Sequence, residues 1–184
     1  MTTSHELSLT VDIIPMSERG WRGAAESAAA DLTARVDRDS RWRLVGVGTD
    51  VTDHTGLSAG LDQWGARWLA RWCSATEVAQ ELRHPPIGPG CPDMARIAPR
   101  WAIKECVTKV LSPTADFAWP WTSIEIIDLQ VPGESTIRLR DVAGVLARGA
   151  QLSRLDAQVQ TAHSITVVWC LAWGAKVCAG ASAQ

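Results

Sequence analysis

The chain has 184 residues, 46% of them apolar and 21% charged, a balance that belongs to a folded protein and excludes a disordered one. That length supports one substantial core rather than two ordinary domains. A formal net charge of -2 argues against a generally basic nucleic-acid binder, because neutralising phosphates takes a visible excess of Lys and Arg.

The N-terminal stretch "MTTSHELSLTVDIIP" carries acidic groups where a secretory leader would be basic, and its apolar residues alternate. Leu7, Leu9, Val11 and Ile13 share one face, which predicts a strand. After Pro15, Trp21, Ala25, Ala28, Leu32 and Val36 recur at helical spacing, so residues 1–41 read as a strand-helix extension ahead of a main domain, 42–184. "LVGVGTDVTD" predicts a second strand, with Val45, Val47, Thr49 and Val51 on one face and Gly46, Gly48 and Asp50 on the other. The two glycines either leave room for a ligand beside the carboxylate or let another backbone pack close.

A helix follows with Leu61, Trp64, Trp68, Leu69 and Trp72 on its apolar side, and Arg67 and Arg71 one turn apart on its flank. "CSATEVAQEL" restarts as a helix, Ser74 standing three residues before Glu77 as in a capping box. "RHPPIGPGCPD" is too rich in Pro and Gly for regular structure and reads as an exposed loop. Met94 to Leu111 is helical again, and "WTSIEIIDLQV" and "STIRLR", parted by "PGE", form a hairpin. An amphipathic helix runs from Asp141 to about Leu155, and strands around Val159 and from Ile165 to Trp173 end the pattern. The last strand is apolar on both faces, as a central strand would be. The class is α+β or mixed α/β.

The five cysteines, Cys73, Cys91, Cys106, Cys170 and Cys178, show no C-x-x-C pair and no metal-ligand spacing, which argues against a disulfide framework or a zinc site. The longest apolar run, "ITVVWCLAWGAKV", is too short to span a bilayer as a helix. A cytoplasmic protein without a membrane partner is expected. Ten Trp stand beside one Phe and no Tyr; their scatter through core-like segments favours Trp filling core sites over an aromatic ligand cage.

Chemistry concentrates in "RWAIKECVTKVL". Wound as a helix, it puts Ile103, Val107, Val110 and Leu111 on an apolar stripe and Trp101, Glu105 and Lys109 nearly opposite. Taken alone, Glu105 and Lys109 make an ordinary surface pair one turn apart. Beside Asp50 they read differently. A carboxylate from a strand and one from a helix can hold a hard divalent cation whose shell is completed by water and substrate phosphates, and a lysine one turn away can meet a phosphate oxygen. The set suits a pyrophosphate-bearing substrate.

"GVGTDVTD", "WCSATE", "RWAIKECVTK" and "SIEI", in that order, resemble the holo-[acyl-carrier-protein] synthase group of 4'-phosphopantetheinyl transferases. The shared pattern is a G-x-D-x-x-E/D strand, an aromatic-x-x-x-x-E helix start and an A-x-K-E-x-x-x-K helix. It runs from about Leu44 to Trp173. The resemblance implies a single-unit fold of this family, an antiparallel sheet packed on a long helix with residues 1–41 as an added extension. It implies Mg2+ held by Asp50 and Glu105, with Lys109, Lys104 and His163 at coenzyme A. The implied reaction is attack by a serine of an apo carrier protein, of fatty-acid, polyketide or peptide synthesis, on the β-phosphate of coenzyme A, releasing 3',5'-ADP. Thr52 stands where the fused two-half branch has a second acid, so the single-unit branch is implied, a homotrimer with its site between subunits.

The chain also departs from the pattern. "VLSPT" replaces a Gly-x-Gly turn after Lys109, Ala162 replaces the serine before His163, and Gly56 falls where an arginine for the carrier's acidic helix is expected. Arg67 and Arg71 either take over carrier binding or merely solubilise the surface. His163 is either a structural histidine or a site residue, and Asp53 either supports Asp50 or caps the next turn. Two rival readings stay open: a non-catalytic relative that binds a carrier or another protein, and a magnesium-dependent phosphate enzyme on another fold.

Overall fold

The computed structural model describes residues 4–13, 30, 34, 41–83, 94–111 and 119–176. Apart from residues 30 and 34, the helix expected between Trp21 and Val36 lies outside the described residues, as do most of the Pro/Gly-rich loop and Ser112.

The described strands are β1 His5–Ile13, β2 Trp42–Asp53, β3 Ile124–Ile127, β4 Gly133–Leu139, β5 Leu152–Ala162 and β6 Ile165–Ala175. The helices are α1 His54–Trp64, α2 Ala66–Leu69, α3 Ala75–Leu82, α4 Met94–Leu111 and α5 Asp141–Gly149. The strands form one sheet in the order β2-β6-β5-β1-β4-β3. β6 lies between β2 and β5, the central place that its two apolar faces require. The β3–β4 hairpin is present as expected.

The expected antiparallel sheet needs one correction. β1 pairs antiparallel with β4 on one side but parallel with β5 on the other. Its alternation drives this placement: Leu7, Leu9 and Val11 are all buried, and a strand with partners on both sides satisfies its backbone groups on both edges. The strand of the N-terminal extension is thus inside the sheet, not appended to it.

Two helices also differ from expectation. The single helix through Leu61 and Trp72 breaks at Gly65, whose φ of 54° is the left-handed region open to glycine. The break turns Trp64 out, leaving it 47% exposed. The helix from Asp141 stops at Gly149, because Gln151 turns left-handed (φ 57°) and Leu152 opens β5.

α4 packs along one sheet face. Ala102, Ile103, Cys106, Val107 and Leu111 meet Leu7, Leu9, Leu155, Val168 and Cys170 in the main core. A second cluster, Leu61, Leu69, Trp72, Cys73 and Ile97, sits under α1 to α3 with Trp68, Trp101 and Trp121 against it. Its rings interlock: Trp101 is 5.1 Å from Trp72 and 5.4 Å from Trp121, and Trp68 is 5.5 Å from Trp72. These tryptophans are packing groups, with Trp72 only 3% exposed.

Candidate active site

The site begins with the contact between α4 and β2. A Cβ on Gly48 would lie 2.3 Å from the carbonyl oxygen of Cys106, a separation no side chain tolerates. Gly46 faces Val110 at van der Waals distance. The glycines therefore serve close backbone packing, and that packing lays the helix against the strand's inner face, where Asp50 also points.

Asp50 is held at both oxygens. Oδ1 accepts from Lys109 Nζ at 3.0 Å and Oδ2 from Thr52 Oγ1 at 2.6 Å. Lys109 also donates to the carbonyl of Thr49 at 2.5 Å. Thr52, buried on the same strand face two residues on, is a site group that the sequence reading passed over. The i, i+2 alternation of the strand was the signal for it.

Glu105 is half-buried beside them. Burial and then the neighbouring charge of Asp50 push its carboxyl above the usual range, against the opposing pull of Lys109. Lys109 is raised as well: burial would lower it, but its hydrogen bond and charge contact with Asp50 hold it above the ordinary lysine value. Two carboxylates close enough to raise a pKa, with one ammonium beside them among the described residues, form an unbalanced anionic pair that a hard divalent cation would relieve. Among the described residues no cluster of three His, Cys, Asp or Glu side chains exists. A cation held by this pair would take its remaining oxygens from water and phosphate.

Lys104 is not at this site, contrary to the expected contact with coenzyme A. Its ammonium is fully buried on another flank of α4, donating to Glu77 Oε2 at 2.7 Å and to the carbonyl of Trp72 at 2.7 Å. The reason is a prior claim by Glu77. This carboxylate, 0% exposed, also accepts from Arg100 Nη1 at 3.1 Å, Ile126 N at 2.9 Å and Ser74 N at 2.8 Å. The capping box at Ser74 forms as predicted and anchors Glu77 for this role. Glu81 takes Arg100 at 3.1 Å through Oε1, so the buried charges are matched.

The other candidates are spread around this centre. Asp53 caps α1, its Oδ1 accepting from Thr55 N at 2.9 Å. His163 is exposed in the β5–β6 turn at a left-handed φ of 53°. That turn is tied to the end of β2 by a 2.8 Å bond from His54 N to the carbonyl of Ser164. His54 itself is buried against Thr166 Oγ1 at 2.8 Å, and burial lowers its pKa despite Asp53. Arg67 and Arg71 are exposed past the far end of α1, a helix length of about 16 Å from Asp53. Arg71 lies over the Trp64 ring, 5.7 Å from its centre. Gly56 is exposed with open space around it.

No family model matches the chain. The chain is 32% identical over 117 residues to the holo-[acyl-carrier-protein] synthase of Gloeobacter violaceus, a match covering 64% of this chain and 82% of that protein. Its fold is shared with the holo-ACP synthase of Plasmodium yoelii (TM-score 0.55, 16% identity, 73% of this chain and 98% of that one). The Chronobacterium ammoniagenes synthase in complex with coenzyme A is similar too (TM-score 0.54, 17% identity, 71% and 97%). The shared sequence and fold place this chain in the holo-[acyl-carrier-protein] synthase family, and it is a phosphopantetheinyl transferase.

Proposed function

We propose that the protein transfers the 4'-phosphopantetheine group of coenzyme A to a serine of an apo carrier protein, with Mg2+ at Asp50 and Glu105 and 3',5'-ADP as the second product. The observation that supports this reading is the meeting of Asp50, Glu105 and Lys109, from strand and helix, at one exposed corner.

In this reaction the serine oxygen forms a bond to the β-phosphorus of coenzyme A while the bond from that phosphorus to the bridging oxygen breaks. The electron pair leaves on 3',5'-ADP, and the serine proton passes to Glu105 or to a water beside it. When bound, Mg2+ neutralises charge on the pyrophosphate. Asp50, fixed by Thr52, and Glu105 hold and orient it. Lys109, 46% exposed, turns from Asp50 to a phosphate oxygen and offsets the charge that builds on transfer. His163 is a second coenzyme A contact. Arg67 and Arg71, with Trp64 exposed beside them at the end of α1, are the carrier-facing groups. We further infer a homotrimer, each subunit keeping β1 within its sheet, a state that sedimentation would test.

Intact-mass analysis of apo carrier proteins incubated with the protein, coenzyme A and Mg2+ tests this. A phosphopantetheine mass gain, lost with chelator and abolished in a folded Glu105→Gln variant, is expected; undiminished turnover by that variant would sink the metal assignment. Ala162 and Gly56 favour a second reading, a non-catalytic carrier-binding relative. No gain on any carrier, with coenzyme A binding also absent, would move the assignment there.

A further inference from the structure

Lys104 and Glu105 are adjacent in sequence yet serve different faces of α4, about 100° apart around its axis. Beside its apolar packing in the main core, two polar or backbone contacts bear on how this helix sits. On the β2 side, the backbone at Cys106 rests directly on Gly48. That contact sets the distance between helix and strand, but a cylinder lying on a strand can still roll. The opposite flank removes this freedom. Arg100 and Lys104, one turn apart, both reach Glu77 of α3, at 3.1 and 2.7 Å, and Lys104 also meets the carbonyl of Trp72. Neither Lys104 nor Glu77 has any exposed side-chain surface.

A buried ion pair contributes little net stability compared with apolar groups of the same volume, because desolvation offsets the attraction. Direction is what such a pair can supply that apolar contacts do not, since its hydrogen bonds hold at one azimuth. A small roll of α4 would move Glu105 and Lys109 together, away from Asp50, because both stand on the side facing it.

We propose that Lys104 and Glu77 are positioning residues for the transfer, their buried ion pair setting the roll of α4 that brings Glu105 and Lys109 to Asp50. This rests on the reading of those three residues as the reacting centre. Lys104 acts through its neighbour and touches no substrate.

Lys104→Met alone would strand a buried carboxylate, so the decisive variant is Lys104→Met/Glu77→Gln. It removes one charge of each sign and leaves Arg100 paired with Glu81. Three readouts are taken on the full chain: cooperative melting, a crystal structure, and steady-state transfer to an apo carrier. The expected variant is folded, its 3.0 Å contact between Lys109 and Asp50 is broken, and kcat falls on the order of 100-fold with little change in KM for the carrier. A structure that keeps the contact overturns the proposal, as does turnover within twofold of the parent. If the parent itself transfers nothing, the functional reading has failed, and the crystal structure still decides the geometry. Should the double variant not fold, Glu77→Gln alone weakens the pair, its amide oxygen still accepting at one position while its amide nitrogen faces donors at the other. Its kcat is expected to fall with KM unchanged, and an unchanged kcat overturns the proposal equally.

Discussion

Glu105 carries the most informative single charge in the molecule. Its carboxyl is raised by burial and then by Asp50, so in metal-free protein protons bind it at a pH where an ordinary glutamate is already ionised. The folded state then holds more protons than the unfolded chain between the usual glutamate value and the raised one. Stability contributed by this group is therefore present at lower pH and lost as pH rises through that window. A cation bound between Asp50 and Glu105 competes with that proton. Carboxyl-carbon NMR of Glu105 should show a titration above the normal range without Mg2+ and a clear downward shift with it; a titration indifferent to Mg2+ would deny the site. Gly56 offers a gain-of-contact test. It is exposed, nothing lies within 4 Å of an added Cβ, and α1 carries no lysine or arginine. Gly56→Arg should lower KM for an acidic carrier several-fold at low salt, an advantage that fades as ionic strength rises. The faces on which Asp50, Glu105 and Lys109 stand were legible in the sequence from strand alternation and helical spacing. The burial of Lys104 was not, since the resemblance implied a place at coenzyme A and nothing local marks Glu77, 27 residues away, as its partner.

At the scale of elements, the β2–α4 contact governs the site. Gly48→Ala would drive a methyl into the carbonyl of Cys106, and overpacking of a close contact of this kind costs about 1–3 kcal/mol. Because the displaced helix bears Glu105 and Lys109, the variant should lose activity out of proportion to its fall in melting temperature; a variant that melts early but turns over normally would separate the contact from the chemistry. α4 was legible along its whole length from its apolar stripe, even with Pro99 inside it, since the proline falls in the second turn and removes a single backbone donor. α1 and α2 read as one helix because periodicity continues through Gly65; the left-handed φ that parts them is a backbone choice that a hydrophobic pattern does not encode.

For the whole molecule, β1 decides how much of the chain the fold requires. Its three core side chains, Leu7, Leu9 and Val11, are at most 3% exposed and together contribute about 5–9 kcal/mol of burial, comparable to the net stability of a domain. Deleting residues 1–41 also opens the sheet between β4 and β5. The truncated chain is expected to be unfolded or aggregated, as circular dichroism and size-exclusion chromatography would show; a folded, active truncation would make the strand dispensable. That the N-terminal segment contains a strand was legible from alternation, but its neighbours were not, because strand partners more than a hundred residues away leave no local mark. The interlocked tryptophans add an optical consequence. Trp101 belongs to α4 one turn before Glu105, and its ring lies close enough to Trp72 and Trp121 for their electronic transitions to couple. The chain thus contains an unlabelled chromophore whose near-ultraviolet dichroism follows the seating of the helix that bears Glu105.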